Sequence, residues 1–178
     1  MTKRPLPLAH VYRLIEPGPV TLVTTFHEGR ANIMTMSWHT MMEFVPPLVG
    51  CIISDRNFTF KGLKATKECA INIPSAELAP EVVGCGNVSG STVDKFWKFH
   101  LTPVRASKIH SPLIQECFAN LECKVVDMTM VKKYNFFVLK VLKAWIDPTR
   151  MNARTIHHRG MGLFMVAGRD IKLPSKML

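Results

Sequence analysis

The chain has 178 residues, 47% of them apolar and only 20% charged, with a net charge of +10. That balance fits one compact domain with its own core, spanning residues 1–178, and excludes a disordered chain. No apolar run reaches the ~20 residues that cross a bilayer, and the basic start Met1–Leu8 lacks a signal peptide's apolar core and cleavage site, so a cytoplasmic protein without membrane contact is expected.

In chain order, Leu8–Ile15 predicts a short helix or turn, stopped by Pro17-Gly18-Pro19. Val20–Phe26 is rich in β-branched residues and predicts a strand. His27-Glu28-Gly29-Arg30 predicts a hairpin turn, and Ala31–Trp38 a returning strand. Leu48–Ser54, after Pro46-Pro47, is apolar throughout and predicts a strand buried on both faces. Phe58–Thr66 predicts a helix and Cys69–Ile73 a strand ended by Pro74. Ser75 is placed to cap a second helix running through Val82-Val83. Asp94–Phe99 predicts a helical turn that packs Phe96, Trp97 and Phe99. Phe118–Met130 and Phe136–Ile146 predict a long antiparallel ribbon, in which Leu121, Cys123 and Val125 alternate with polar Glu122 and Lys124. Leu163–Ala167 predicts a last short strand. Strands outnumber helices, without regular β–α alternation, so the expected class is mainly β: a closed antiparallel barrel with peripheral short helices.

The 23 lysines and arginines are scattered. Neither a helix-turn-helix pattern nor an RNA-binding aromatic signature accompanies them, so the charge reads as a steering field for anionic ligands rather than for nucleic acid. The five cysteines form no Cys-x-x-Cys pair. Reduced thiols and no metal site are expected.

Ser54-Asp55-Arg56-Asn57-Phe58-Thr59 is the most informative segment. A buried strand ends there in a turn with a guanidinium, hydroxyls and backbone N–H groups, which suit a phosphate dianion. Ser54, Arg56, Asn57 and Thr59 are the phosphate candidates. The competing reading is a capping turn, with Asn57 or Thr59 as the cap. Upstream, Asn32-Ile33-Met34-Thr35-Met36-Ser37-Trp38-His39 offers Asn32, Met34, Thr35, Met36, Ser37 and Trp38 to a polar ring edge, although alternation lets only half of these side chains face one ligand. The alternative is an ordinary strand with Trp38 in the core. Downstream, Gly84-Cys85-Gly86-Asn87-Val88-Ser89-Gly90 predicts a loop whose glycines admit a close ring. Cys85, Gly86, Ser89 and Gly90 are candidates there, and Lys95 adds a cation. A redox role for Cys85 would require thiolate stabilisation. Together the three segments fit a flavin mononucleotide, FMN. His39 is the candidate catalytic side chain, against a structural role. His157-His158 beside Arg159 reads either as a phosphate contact or as an exposed loop. No Gly-x-Gly-x-x-Gly fingerprint is present.

These segments, with Ile71-Asn72-Ile73-Pro74, Asp94-Lys95-Phe96, Leu121-Glu122-Cys123 and His157-His158-Arg159-Gly160, occur in the order found in the flavin reductase-like, FMN-binding split-barrel family. The chain resembles that family, which includes flavoredoxin, over residues 10–170. The resemblance implies a split barrel, non-covalent FMN, and a homodimer with FMN near the subunit interface, where Phe164 would pack on the flavin or else serve the core. It implies electron transfer from NAD(P)H through FMN to a flavin, a metal ion or a redox-protein acceptor. The alternative within the family is a non-enzymatic, flavoredoxin-type carrier fed by a protein partner. Phe58 stands where many relatives carry Tyr, keeping the ring and losing the hydroxyl.

Overall fold

Strands β2 (Thr21–His27) and β3 (Arg30–Met36) form a hairpin. Its turn residues Glu28 and Gly29 both have positive φ, 51° and 74°. Two such residues in a two-residue turn match the right-handed twist of the strands they join. In the computed structural model, which describes residues 3–11 and 18–175, this hairpin is one end of an eight-stranded antiparallel sheet.

The other strands are β1 (Arg4–Leu6), β4 (His39–Phe44), β5 (Pro47–Ile52), β6 (Glu68–Ile73), β9 (Ala119–Asp127) and β10 (Phe136–Ile146). The sheet runs β3-β2-β6-β9-β10-β5-β4, with β1 also on β10. One edge of β10 follows β9, with two register shifts. Its other edge pairs β5 through Phe136–Lys140, then β1 through Ala144–Ile146. This change of partner splits the barrel. The Val45–Pro46 peptide bond, between β4 and β5, is cis.

Two large clusters flank the sheet, and a small third one gathers Ala70, Ala106, Ile109 and Leu113. Val23, Val49, Leu63, Ile71, Leu121 and Phe137 fill the barrel interior. Leu22, Ile33, Val82, Cys85 and Phe96 form a second cluster outside it. Neighbouring Leu22 and Val23 fall into different clusters, so β2 is buried on both faces. Its continuous apolar and threonine pattern follows from that.

Helix α1 (Phe58–Thr66) follows β5, α2 (Ala79–Asn87) follows a 3-10 turn at Ala76–Leu78, and α3 (Lys95–Lys98) and α4 (Val131–Tyr134) are single turns. Two-stranded ribbons β7 (Pro103–Val104)–β8 (Leu113–Ile114) and β11 (Ile156–His158)–β12 (Phe164–Val166) complete the fold. Among the described residues no helix is long and apolar enough to cross a membrane.

The antiparallel, mainly β class is as expected, and α1 and β10 occupy their expected ranges. Several local expectations fail. Of the helix expected over Leu8–Ile15, a 3-10 turn at Leu8–His10 is present, and its remainder from residue 12 lies outside the described residues. β1, β4, β7, β8 and β11 were not expected. Ser75 makes no capping bond; its hydroxyl donates to Glu77 and accepts from Arg150, at 2.7 Å each. Trp97 is exposed, although Phe96 beside it is buried. Glu122, a polar position of the alternating pattern, is fully buried. It accepts from the Ser107 and Lys108 amides, the Ser107 hydroxyl and the Trp145 indole, which offsets the cost of burying a carboxylate.

Candidate functional site

A cleft of about 290 Å³ lies where β3, the turn entering α1 and the end of α2 meet. Asn32, Met34 and Thr35 come from β3, and Arg56, Asn57, Phe58 and Thr59 from the turn and first helical residues. Cys85, Gly86, Asn87, Val88, Ser89 and Gly90 come from the end of α2 and its following loop, and Lys95 from α3. The three segments singled out in the sequence therefore converge. The lining holds two cations and no carboxylate.

The turn is built for donors. Ser54 does not line the cleft; its hydroxyl accepts from the Arg56 amide at 3.3 Å and faces Arg56 Nε at 3.5 Å. It therefore orients Arg56. Asn57 occupies the N-cap position of α1 yet makes no side-chain capping bond. Its amide side chain stays available to the cleft, against the capping-turn reading. Thr59 is buried, and its hydroxyl oxygen accepts from Asn32 Nδ2 at 2.8 Å. Its own proton remains to donate. No acid sits in the first turn of α1, where backbone N–H groups lack intrahelical partners. That end favours an anion.

Lys95 supplies the buried cation. It is only 6% exposed, and its Nζ donates to the Cys85 carbonyl at 2.7 Å. Asp94, next in the chain, is committed to capping α3 through the Phe96 and Trp97 amides. Among the described residues Lys95 forms no ion pair with a carboxylate. Burial lowers its pKa. A buried ammonium without a counter-ion is costly, and an anionic ligand would relieve that cost.

Glycines set the shape. Cys85 and Gly86, expected in a loop, belong to the last turn of α2. The helix continues because its glycines permit close packing. A Cβ at Gly84 would overlap the Phe99 ring, and one at Gly86 would come 3.4 Å from Thr35. Gly90 lies in the loop itself: a Cβ there would overlap the Asn32 amide and meet the Phe58 ring at 3.0 Å. The Asn32 Oδ1 atom beside it is buried without a partner. Ser89 closes the loop by accepting from the Thr92 and Val93 amides.

Other candidates lie elsewhere. Thr35 reaches the cleft, but its hydroxyl donates to the Val82 carbonyl at 2.6 Å. Met36 points into the barrel core, as β3 alternation requires. Ser37 and Trp38 do not line the cleft, and Trp38 is 68% exposed, so it is not a core residue. Phe164 on β12 packs against the second core cluster and lies 5.1 Å from the His158 ring. His157 Nε2 is 3.0 Å from the Thr155 hydroxyl. His157 and His158 lie on β11, not in a loop.

His39 opens β4, outside the cleft. Its Nε2 is 2.7 Å from the Pro19 carbonyl, while Nδ1 is buried without a partner. Burial holds its pKa below the ordinary histidine value; the Pro19 bond opposes that and His157 adds to it. These contacts hold the ring in place at a cleft separate from the first. Burial also pushes the Cys85 thiol up to about 11, despite Lys95 nearby. It is a thiol at neutral pH, not the thiolate that redox chemistry needs.

Sequence reasoning missed Phe58, Asn87 and Val88 as lining residues. Asn87 and Val88 stand inside the glycine-bearing segment, whose glycines and hydroxyls carry the plainer signal. Phe58 opens the predicted helix within the phosphate segment, and its ring forms a wall of the cleft.

Comparison with known proteins bears on the family and the fold. Residues 12–162 match the model of the flavin reductase like domain. The uncharacterized protein YddH of Escherichia coli K12 is 30% identical over 94% of this chain and 96% of its own. The crystal structure of an FMN-binding domain of a flavin reductases-like enzyme from Shewanella baltica superposes with a TM-score of 0.91. It is 22% identical, with 97% of each chain covered. The flavoredoxin of Desulfovibrio vulgaris superposes with a TM-score of 0.81 at 20% identity, covering 89% of this chain and 91% of its own. These two share the split-barrel fold. With the family model matched across most of its length, the chain belongs to the flavin reductase-like domain family.

Proposed function

We propose that the cleft binds FMN and that the protein is an FMN-dependent oxidoreductase of the flavin reductase type, with NAD(P)H as electron donor. The observation that carries the reading is a two-cation, carboxylate-free cleft whose buried Lys95 lacks a counter-ion. FMN fits this donor set. Arg56, Asn57, the Thr59 hydroxyl and the first-turn amides of α1 receive the phosphate, and Lys95 neutralises part of its charge. Asn32 Oδ1, buried and unpaired, is placed to accept from a hydroxyl or N–H of the ligand. Phe58 and Met34 line the cleft beside Gly90 and offer apolar faces to a flat ring. When bound, FMN supplies the redox chemistry that no side chain of this site provides. The chain itself binds, orients and tunes by charge, which agrees with the absence of an acid–base dyad in the cleft. The acceptor is a free flavin, a metal ion or a redox protein. We further propose a homodimer, because Trp38, Met42, Phe44 and Val45 expose an apolar surface along and beside β4.

Anaerobic addition of NADH and NADPH, separately, to the FMN-loaded protein tests the donor. Bleaching of the flavin band by either one within the stopped-flow time range is expected. If neither bleaches it while a reduced ferredoxin does, the protein is an electron carrier and the reductase assignment falls.

A further inference from the structure

A second cleft, of about 160 Å³, opens beside the first and shares Asn32 and Phe58 with it. His27, Glu28, Arg30 and Lys61 supply its charged and titratable walls. Gly62 brings α1 close to its floor, since a Cβ there would lie 3.3 Å from the His27 Cβ.

The charges are not balanced evenly. Glu28 serves two partners: Lys61 Nζ at 3.7 Å and His27 Nε2 at 3.4 Å. Arg30 pairs with no carboxylate among the described residues. Its Nη1 instead donates to the Ser91 carbonyl at 3.2 Å, and its guanidinium lies 5.7 Å from the Phe58 ring centre. The first contact ties the β2–β3 hairpin to the loop that closes the first cleft, and the second ties it to the start of α1. They also hold the guanidinium in one place with most of its five N–H donors unused. A preset, unpaired guanidinium is suited to bidentate phosphate recognition.

We infer that this second cleft seats a phosphate of an adenosine-bearing dinucleotide. Arg30 is its anion-binding residue, Phe58 is the wall between the two clefts, and Glu28 is placed to accept from a ribose hydroxyl. The inference rests on FMN occupying the first cleft. Two ligands present this chemistry there: FAD, whose AMP half would continue past Phe58, and NADPH, which carries a 2′-phosphate.

Binding, not turnover, tests it. Flavin fluorescence titrations give the affinities of FMN and FAD. Calorimetric titration of NADP+ and NAD+ into the FMN-loaded protein gives the other two. Arg30→Ala is expected to weaken FAD or NADP+ binding by about tenfold or more, the scale of one lost charge-assisted hydrogen bond. NAD+ affinity is expected to stay as in the wild type, and FMN affinity to fall by clearly less than that of the affected ligand, because Arg30 also touches the loop and the ring beside the first cleft. Between FAD and NADP+, a loss confined to FAD assigns the cleft to the AMP half; a loss confined to NADP+ assigns it to the 2′-phosphate. Lys61→Ala, on the exposed face of α1, is expected to move the same ligand by less. Unchanged affinity for all four ligands in both variants overturns the inference, as does an equal loss for FMN and FAD. If the wild type fails to bind FMN, the reading of the first cleft fails instead.

Discussion

Lys95 and Cys85 are joined by one hydrogen bond, yet their environments act on them in different ways. The ammonium is buried with a carbonyl for company, so it awaits an anion. The thiol is driven away from ionisation by the same burial, so it stays inert. His39 shows the same physics with a measurable outcome. Its Nε2 faces a carbonyl and therefore carries the proton, and a second proton on Nδ1 would have no acceptor. Its folded pKa lies below the unfolded value of ~6.5, so the unfolded chain takes up the proton first. The stabilisation is complete above that unfolded value and is lost as pH falls below it. The urea midpoint of the wild type is therefore expected to drop between pH 7 and pH 5 more steeply than that of His39→Gln. Parallel profiles would contradict the burial argument. The residue types at the cleft were legible in the sequence, Arg56, Thr59, Asn57 and Lys95 among them. Burial was not. The free Asn57 side chain, the committed Thr35 hydroxyl and the orphaned Asn32 oxygen depend on neighbours far along the chain.

Elements were legible where one periodicity dominated. α1 and β10 met their expected limits because each carries an unbroken pattern between clear stops. The glycines of α2 misled, since Gly84 and Gly86 read as breakers until their contacts with Phe99 and Thr35 are seen. β4 was missed because His39–Phe44 has no apolar alternation, being mostly exposed at the sheet's end. An edge strand with exposed Met42 and Phe44, followed by Val45 at 78% exposure, has the character of an association surface, which is the basis of the proposed dimer. Light scattering after size exclusion is accordingly expected to give twice the chain mass. Met42→Glu combined with Phe44→Glu is expected to shift the species toward the monomer. A wild-type monomer with full FMN occupancy would contradict the dimer.

At the scale of the whole molecule, a split in one strand's pairing and two cores on either side of the sheet bring three distant segments to a single cleft. The order of those segments along the chain carried the resemblance, and the fold explains their order: β3, the end of β5 and the end of α2 are successive stations around one site. The net charge of +10 is consistent with drawing anionic nucleotides toward it. The central claim is that the turn entering α1 seats the phosphate of FMN. Titration of FMN into wild-type protein and Arg56→Ala, with riboflavin as the phosphate-free control, tests it most directly. The account predicts that Arg56→Ala weakens FMN binding by about 1.5–3 kcal/mol and leaves riboflavin binding unchanged. Equal affinity of the two proteins for FMN would contradict it.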